Sequence, residues 1–239
     1  KYTARVVCGG YGKRSNIDFK WKRPFTMAVK NKLNNYIGIK YHIKTNFPAD
    51  AIALHNFEDG YCGISKIEDD KYCLCYLTNA ANLKRNNNSI QQLEQSVLKR
   101  NHYLEKIFEE SEFLFKTPVS ISQISFARKS QVRNHIIMVG DAAGIITPLC
   151  GNGMSMAMHA SKIAASYTHE YLQQKISRDQ LETLYNKDWD NNFGKRIIIG
   201  RMIQQLFGRE WITNIFIAVM KWMPFVTRWI IKQTHGKPF

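Results

Sequence analysis

The sequence is poor in acidic residues relative to basic ones. In a chain of 239 residues, 19 Asp and Glu stand against 34 Lys and Arg, so the formal net charge is +15 at pH 7. This excess predicts an anionic partner, whether a nucleotide, a nucleic acid or a membrane surface. Nucleic acid is not expected, because the lysines are scattered and the sequence contains no compact module of aromatic and basic residues.

Cysteine is also scarce, with five residues in the chain. An odd number of cysteines and the lack of a signal peptide predict reduced thiols and a cytoplasmic protein. Cys62, Cys73 and Cys75 could be considered as a metal site, but no histidine or fourth cysteine stands at zinc spacing. We predict no metal here, and interpret these cysteines as small, half-buried strand residues.

Long uninterrupted apolar runs are missing as well. The most apolar segment, residues 211–231, is broken near its middle by Lys221 and Pro224. A spanning helix needs about 20 apolar residues with few charges, so this segment is not expected to cross a membrane. Two interpretations stay open: two short helices that cap a domain, or an interfacial helix pair that would make the protein peripheral on the membrane.

The most informative part of the chain is residues 135–165. The apolar run Ile136–Val139 is stopped by Gly140 and followed by Asp141, which is typical of a buried strand with a polar side chain at its carboxyl end. Open α/β sheets bind ligands at that edge. Ala142 leaves room for a ligand to lie against the backbone.

A helix start follows the strand. Pro148 ends the loop, and Gly151, Asn152 and Gly153 open a helix rich in small residues. The first N–H groups of a helix have no internal partners and carry about half a positive charge. Such a site favours a phosphate, a carboxylate or a reduced flavin ring.

Together these positions resemble the second flavin-contacting motif of FAD-dependent oxidoreductases of the geranylgeranyl reductase and aromatic-hydroxylase superfamily. The resemblance implies that Asp141 holds a ribityl hydroxyl of FAD, and that the helix start faces the pyrimidine edge of the flavin ring. Gly144 favours the reductase branch, because the hydroxylases often have histidine there. The matching and cofactor-binding positions are Gly140, Asp141, Ala142, Pro148, Gly151, Asn152, Gly153 and Met154.

A second segment resembles the same family. The predicted strand Tyr2–Cys8 leads into a glycine-rich turn similar to the family's Gly-Ala-Asp-Gly-x-x-Ser, in which Gly10 and Gly12 are further cofactor-binding candidates. Tyr11 replaces the aspartate, so a hydrogen bond from that side chain to a nucleotide is not expected. Lys13 and Arg14 are predicted to be either solvated or in contact with phosphate, and the sequence does not separate these alternatives.

The family's Gly-x-Gly-x-x-Gly, which holds the FAD pyrophosphate, does not follow a strand anywhere in the chain. We therefore expect the C-terminal part of a longer flavoprotein, which needs its N-terminal part to bind FAD. The expected fold class is α/β (α+β). It combines a partial Rossmann-like FAD-binding domain, residues 1–23 and 119–170, with an inserted antiparallel-sheet substrate domain, residues 24–118, and a helical region, residues 171–239.

Alternating apolar residues predict the strands of the substrate domain, with short turns between them. Further along, residues 89–110 carry the apolar spacing of two amphipathic helices or one broken helix. The predicted strands are Phe25–Val29, Tyr36–Thr45, Ala51–Phe57, Tyr61–Ile67 and Lys71–Leu77.

Three further sites are weaker candidates for a chemical role. Cys150 directly precedes the helix start, where the dipole depresses a thiol pKa, so it is a weak catalytic candidate beside a structural role. His159 is predicted to be a surface or core residue. The segment 128–130 could reach a phosphate with Arg128 or Lys129, although a solvated loop is the expectation.

The resemblance implies an FAD-dependent oxidoreductase of reductase type, in which hydride passes through flavin N5 to a hydrophobic substrate such as an isoprenoid or another lipid. NAD(P)H is a candidate electron donor. One alternative is a flavin-dependent monooxygenase or halogenase, which would consume oxygen, acting on an aromatic or carrier-bound substrate. Another is a membrane-associated binding protein that keeps the fold without the cofactor.

Overall fold

A computed structural model describes residues 3–27, 35–206 and 210–234. Within them the chain forms short strands and mostly short helices. In chain order these are β1 (Val7–Gly9), α1 (Asn16–Lys20), α2 (Pro24–Met27), β2 (Tyr36–Lys44), β3 (Ile52–Phe57), β4 (Gly60–Lys66), β5 (Tyr72–Asn79), α3 (Ala80–Arg85), α4 (Ile90–Ser96), α5 (His102–Glu110), β6 (Glu112–Phe113), β7 (Val119–Ile124), β8 (Val132–Arg133), β9 (Ile136–Met138), α6 (Gly153–Leu172), α7 (Arg178–Trp189), α8 (Lys195–Leu206), α9 (Glu210–Trp222) and α10 (Pro224–Thr234).

The chain divides into two compact units. The first unit comprises Lys1–Asn34, Ser125–Gln204 and Met223–Phe239, and the second comprises Asn35–Ile124 and Gln205–Trp222. The predicted domain limits stay predictions. The chain nevertheless passes between units at residues 35 and 125, and the helical region beyond residue 171 is shared by both units.

The second unit is built on an antiparallel sheet with the order β3-β4-β5-β2-β6, in which β7 also pairs with β2. The meander and four of its predicted strands are confirmed. The predicted strand Phe25–Val29 is wrong for Phe25–Met27, which lie in helix α2, while Ala28 and Val29 fall outside the described residues. Pro24 explains the difference, because its fixed φ suits the first turn of a helix.

Period-two alternation sets the two faces of this sheet. The odd positions of β2, from Ile37 to Ile43, pack with the even positions of β5 against apolar residues of α4 and α5. Cys62 lies on this covered face opposite Tyr76, whereas Cys73 and Cys75 lie on the other face. The predicted strand positions of these cysteines are therefore correct.

Among the described residues of the second unit, one carboxylate lies in the core. Glu94 on α4 is buried and accepts hydrogen bonds of 2.8 Å from the hydroxyls of Tyr41 and Tyr76. Burial raises the pKa of the Glu94 carboxyl, and the two tyrosine hydrogen bonds oppose that rise. The sheet and the helix that covers it are thus joined by polar as well as apolar contacts.

The first unit has a small sheet with the order β1-β9-β8, in which β1 and β9 are parallel. Of the predicted strand Tyr2–Cys8, Val7 and Cys8 lie in the sheet, Thr3–Val6 do not, and Tyr2 falls outside the described residues. The strand continues to Gly9, and its three residues pair in register with Ile136–Met138 of β9. The hydroxyl of Tyr185 on α7 donates a 2.6 Å hydrogen bond to the Met138 carbonyl and fixes the helix to β9.

One long helical segment of the first unit is irregular in its middle. Helix α7 continues through a turn of π-helix, Asp190–Gly194, directly into α8. Such turns contain one extra residue and are frequent at functional sites. Its side chains Trp189 and Phe193 belong to the buried core of the unit.

Among the described residues, no single helix has both the length and the apolar composition needed to cross a bilayer. Helices α9 and α10 meet that test only when taken together, as a pair bent sharply at the break between them.

Candidate functional site

Parallel pairing of β1 with β9 brings together the two segments that the sequence singles out. Val7 lies opposite Ile136 and Gly9 opposite Met138, and both strands end at the same edge of the sheet. The turn after β1 carries Gly10 and Gly12, and the turn after β9 carries Asp141. The carboxyl ends of parallel strands are where α/β sheets bind ligands.

The turn after β1 has room beside its backbone. Gly12 has φ of +80°, and a Cβ built there would meet no atom within 4 Å. At Gly10 an added Cβ would lie 3.5 Å from Cγ2 of Val139, an ordinary contact. Tyr11 is directed into the unit, where its hydroxyl donates to Oδ1 of Asp18 at 2.6 Å. Its side chain is thus engaged inside the protein.

The turn after β9 presents one carboxylate. Gly140 has φ of +58°, and residues Gly140–Ala142 form a short 3-10 turn in which the Asp141 side chain is exposed. Ala142 and Ala143 are fully buried beneath it. The surrounding protein raises the pKa of the Asp141 carboxyl, while the Lys129 charge lowers it. An exposed acceptor at this position can receive a hydrogen bond from a ligand hydroxyl.

Helix α6 begins without a side-chain cap. Pro148–Cys150 form a 3-10 turn, Gly151 follows with φ of +67°, and a Cβ at Gly151 would meet no atom within 4 Å. Asn152, the residue before the helix, makes no capping hydrogen bond; its Nδ2 donates to the Thr234 carbonyl at 2.5 Å. Within the ranges that the structure describes, no side-chain cap therefore covers the N–H groups of the first turn, which suit an electron-rich group.

Met154 and Gly153, both on the first turn of α6, leave space at the helix start. Met154 on the first turn of α6 is largely exposed. At Gly153 an added Cβ would lie 3.8 Å from Ile146, so the protein itself leaves space there. The glycine at position 153 is thus not required by packing within the described chain.

A buried ion pair that the sequence did not reveal supports both turns. Arg23 is only 1% exposed, and its Nη1 lies 2.9 Å from Oδ1 of the fully buried Asp18. Its Nη2 donates to the carbonyls of Ser130 and Ala142 at 2.9 and 3.0 Å. Nη1 also donates to the Tyr11 hydroxyl at 2.8 Å. One guanidinium therefore connects the turn after β1 to the turn after β9.

Lys129 makes a second connection, and its predicted place in a solvated loop is wrong. The side chain is buried, and Nζ donates to the carbonyls of Lys13 and Asp141, both at 2.7 Å. Burial and the Arg23 charge lower its pKa to about 8. Two carbonyl acceptors and the ring of Phe25, 4.4 Å away, surround the ammonium. Arg128, by contrast, is exposed as predicted.

Cys150 and Gly144 both lie against other side chains of the first unit. Cys150 is buried beside Oγ1 of Thr147, and burial raises the pKa of its thiol, so the depressed pKa inferred from the helix start is wrong. At Gly144 a Cβ would lie 2.8 Å from the indole of Trp189. Packing of Trp189 thus explains why a side chain does not fit at this position, and the bearing of Gly144 on the reductase branch stays a prediction.

The surroundings of His159, Lys13 and Arg14 bear on two further predictions. His159 lies edge-on to the Phe193 ring at 5.2 Å, and burial lowers its pKa. A packing contact accords with the predicted structural role. Lys13 and Arg14 are both partly buried, and the Arg14 guanidinium lies 4.3 Å above the Phe19 ring. Neither is a fully solvated turn residue.

Sequence comparison finds relatives that match only part of the chain, and no family model matches it. Digeranylgeranylglycerophospholipid reductase of Methanosarcina acetivorans is 29% identical over 108 residues, which are 45% of this chain and 26% of that protein. An uncharacterized protein of Methanocaldococcus jannaschii is 36% identical over 75 residues, 31% of this chain and 19% of that one. Conditioned medium factor receptor 1 of Dictyostelium discoideum is 22% identical over 199 residues, 81% of this chain and 37% of the receptor.

Comparison with solved structures covers nearly the whole chain. A flavin-dependent brominase matches with a TM-score of 0.71 and 17% identity, over 97% of this chain and 57% of the brominase. A geranylgeranyl bacteriochlorophyll reductase-like protein from Thermoplasma acidophilum matches with a TM-score of 0.61 and 15% identity, over 84% of this chain and 50% of that one. The chain has the fold of the FAD-dependent oxidoreductases. The predicted resemblance to this superfamily and the predicted fold class are confirmed.

FAD is the cofactor that this fold implies, and the residues at the sheet edge can be compared with what its binding requires. Gly12 and Gly151 leave open space where any side chain would stand, Asp141 exposes an acceptor, and the first turn of α6 is uncapped. Each of these features suits a polar, electron-rich ligand that lies against the backbone. The residues present therefore fit FAD.

Loss of the Arg23 guanidinium should destabilise the unit that carries this fold. Arg23→Met leaves the Asp18 carboxylate buried without its partner, which costs about 3 to 5 kcal/mol. The double variant Asp18→Asn with Arg23→Met should lose clearly less than the sum of the two single variants, because no buried charge is left unpaired. Denaturant unfolding of the four proteins measures this coupling.

An exposed ion pair supplies the control. Lys106→Met removes the partner of Glu110, 3.9 Å away on the surface of α5, and should change the free energy of unfolding by less than about 1 kcal/mol. Strictly additive effects of Asp18→Asn and Arg23→Met would contradict the proposed coupling.

Proposed function

We propose that the protein to which this chain belongs is an FAD-dependent oxidoreductase of reductase type, which acts on a hydrophobic substrate such as an isoprenoid or another lipid. The observation that carries the proposal is the parallel pairing of β1 with β9. This pairing sets the turn with Gly10 and Gly12 beside the turn with Asp141 at one edge of the sheet. A cofactor that contacts both turns requires them to lie side by side.

Each part of the site has a separate role in this proposal. The Asp141 carboxylate accepts a hydrogen bond from a ribityl hydroxyl, and the glycine backbone lets the ligand approach closely. The N–H groups at the start of α6, from Asn152 to Met154, stabilise negative charge on the ring. The N–H of Gly151, which was expected to be among them, donates instead to the Pro148 carbonyl at 2.9 Å. When bound, FAD supplies hydride transfer through its N5. The chain contributes binding, orientation and electrostatics, and NAD(P)H is the proposed electron donor.

Two features support a reductase that acts on an apolar substrate. The partial sequence relatives include a digeranylgeranylglycerophospholipid reductase. In the second unit, the sheet face opposite the helices carries small side chains on its central strands, with Gly63 and Ser65 on β4 and Cys73 and Cys75 on β5. These small side chains leave space on β4 and β5 beside Lys40 and His42 of β2, which lie on the same face. We propose that an apolar chain lies in this space.

A monooxygenase or halogenase is the second candidate, favoured by the structural match to the flavin-dependent brominase. The two reactions differ in their need for oxygen. A double-bond reductase is expected to turn over anaerobically with a chemically reduced flavin, because its substrate takes up the electrons. Strict dependence of product formation on O2, measured with a panel of isoprenoid and aromatic substrates, would contradict the reductase and support the second candidate.

We predict different losses for two substitutions in the full-length protein. Asp141→Ala should weaken FAD binding by about ten- to a hundredfold, because it removes a charge-assisted hydrogen bond, and excess FAD should restore turnover. Gly153→Val should reduce turnover even at saturating FAD, because a branched side chain would enter the space between the helix start and the ring. Flavin content and steady-state turnover across an FAD titration measure both effects.

Two controls separate binding from folding. Asp179→Ala removes an exposed carboxylate on α7 and should leave flavin affinity unchanged. Gly153→Ala adds a Cβ that meets the protein only at 3.8 Å, so thermal unfolding should match the parent protein. Full flavin occupancy of Asp141→Ala at low FAD would exclude Asp141 as the ribityl anchor, and normal turnover of Gly153→Val would show that the helix start does not face the ring.

We also propose that the protein binds anionic membranes through its C-terminal helices. On α9 the exposed apolar residues Trp211, Ile215, Val219 and Trp222 recur at helical spacing and form one stripe. On α10 Phe225 and Trp229 are exposed four residues apart. Such helices, with basic residues among the apolar ones, are typical of interfacial membrane contact.

Removal of the two exposed indoles of α9 tests this contact. Trp211 is 68% exposed and Trp222 is 84% exposed, so replacing both with Ser should leave the fold unchanged. Co-sedimentation with anionic vesicles should fall by about tenfold or more, since each buried aromatic side chain contributes about 1.5 to 3 kcal/mol. Tyr103→Ser on α5, where the side chain is equally exposed at 68%, is the control and should co-sediment normally. Failure of the parent protein to bind such vesicles would contradict the proposal.

A further inference from the structure

Helix α6 begins differently from five other helices of the chain. Each of those five follows a residue whose side chain accepts a hydrogen bond from the first turn and whose backbone is extended, with ψ between 113° and 169°. These capping residues are Ser15, Asn79, Ser89, Asn101 and Ser177. Helix α6 has 20 residues and is the longest of the described helices, yet Asn152 before it has ψ of 21° and forms no cap.

The type of residue at position 152 does not explain this difference. Asparagine is among the best N-cap residues, and Asn79 and Asn101 of this chain cap α3 and α5 through their side-chain oxygens. Asn152 instead donates from Nδ2 to the Thr234 carbonyl at the end of α10. The nitrogen of the amide faces Thr234 because two oxygens opposite each other would repel. The contact with α10 thus occupies the side chain that would otherwise cap α6.

The acceptor end of the same amide has no partner. Oδ1 of Asn152 is shielded from solvent and makes no hydrogen bond within the part of the chain that the structure describes. A buried acceptor without a partner costs free energy. In a capping conformation Oδ1 would accept from an N–H of the first turn, but Nδ2 would lose the Thr234 carbonyl. Each conformation therefore satisfies one end of the amide, and the two differ by the exchange of one hydrogen bond for another.

The backbone on both sides of Asn152 permits a change between these conformations. To cap α6, Asn152 would have to rotate ψ from 21° into the extended range. Gly151 precedes it with φ of +67° and Gly153 follows it, and glycine adopts backbone conformations that other residues rarely reach. An added Cβ at Gly151 would meet no atom within 4 Å, so the neighbouring chain does not obstruct this rotation.

Helix α10 is buried at the end that touches Asn152 and exposed along its apolar side. Thr234 is only 5% exposed, whereas Phe225, Trp229 and Ile231 are more than half exposed. A surface that binds those apolar side chains would therefore act on α10, and through Thr234 on the Asn152 amide.

We propose that α10 controls the start of α6 through Asn152. While the Thr234 carbonyl holds the amide, the first N–H groups of α6 stay open to a ligand. When that contact is lost, Asn152 rotates and caps them. The Asn152 side chain is thus a positioning group, which acts on the ligand through the helix start. With FAD as the ligand this control rests on the function proposed above, but the rotation of Asn152 can be measured without FAD.

Two substitutions at position 152 separate capping from loss of the α10 contact. Serine and alanine are both too short to replace the amide at Thr234, but serine is a strong N-cap residue and alanine is not. In the flavin-free full-length protein, hydrogen exchange of the Met154 or Ser155 amide should be about fivefold slower in Asn152→Ser than in Asn152→Ala, as a cap of about 1 kcal/mol implies. The parent protein should exchange as fast as Asn152→Ala, because its asparagine is held by α10.

FAD titration of the same full-length proteins measures the effect on the ligand. Asn152→Ser should bind FAD about fivefold more weakly than Asn152→Ala, because FAD has to displace the serine cap. The reduction potential of bound flavin should also be lower in Asn152→Ser, because a capped N–H no longer stabilises the reduced ring. Asn79→Ser exchanges one N-cap residue for another on α3 and is the control, with the FAD affinity of the parent protein.

The two measurements distinguish this control from the proposed function. Slower exchange in Asn152→Ser, in a full-length protein that takes up no FAD, would support the rotation of residue 152 and contradict the proposed function. Equal exchange in the serine and alanine variants would overturn the proposal whatever the FAD affinity. Exchange in the parent protein as slow as in Asn152→Ser would also overturn it, because Asn152 would then already cap α6. Equal FAD affinity of two variants that differ in exchange would show that the cap does not act on the ligand, and would overturn it as well.

Discussion

The buried guanidinium of Arg23 is the contact on which the arrangement of the candidate site depends. It pairs with the Asp18 carboxylate, and it donates hydrogen bonds to the Tyr11 hydroxyl and to the carbonyls of Ser130 and Ala142. Burying a charge in a protein interior is costly, and ion pairing and hydrogen bonds offset this cost. Both turns at the ligand-binding edge must therefore keep their positions for the ion pair to be satisfied.

This constraint makes the site rigid without using the groups that face a ligand. Lys129 acts in the same way. Its ammonium donates hydrogen bonds to the backbone carbonyls of Lys13 and Asp141 and leaves the Asp141 carboxylate exposed. The same basic residues that give the chain its high net charge thus serve partly as internal supports. A large positive charge in the sequence is therefore not, by itself, a measure of the surface available to anions.

Much of the fold was predictable, because local patterns determine it. Period-two alternation between polar turns specified β2 to β5, and the helix start at Gly153 followed from glycines and a proline at fixed spacing. The candidate site was predictable where glycine conformation matters, as at Gly12 and Gly151. Its supports were not, because Arg23 reaches partners 107 and 119 residues away, and the burial of Lys129 depends on carbonyls that only the folded chain assembles. Gly144 is a further example, because the sequence did not reveal that the ring of Trp189 leaves no space for a side chain there.

The central claim is that the turns after β1 and β9, with the start of α6, hold a flavin. The most direct measurement is the visible absorbance spectrum of the purified full-length protein, with flavin quantified after release by denaturation. The account predicts an oxidised flavin spectrum at close to one FAD per chain, bleached by a chemical reductant. A colourless full-length protein that takes up no FAD on titration, although it is folded by circular dichroism, would contradict it and favour a binding protein that keeps the fold without the cofactor.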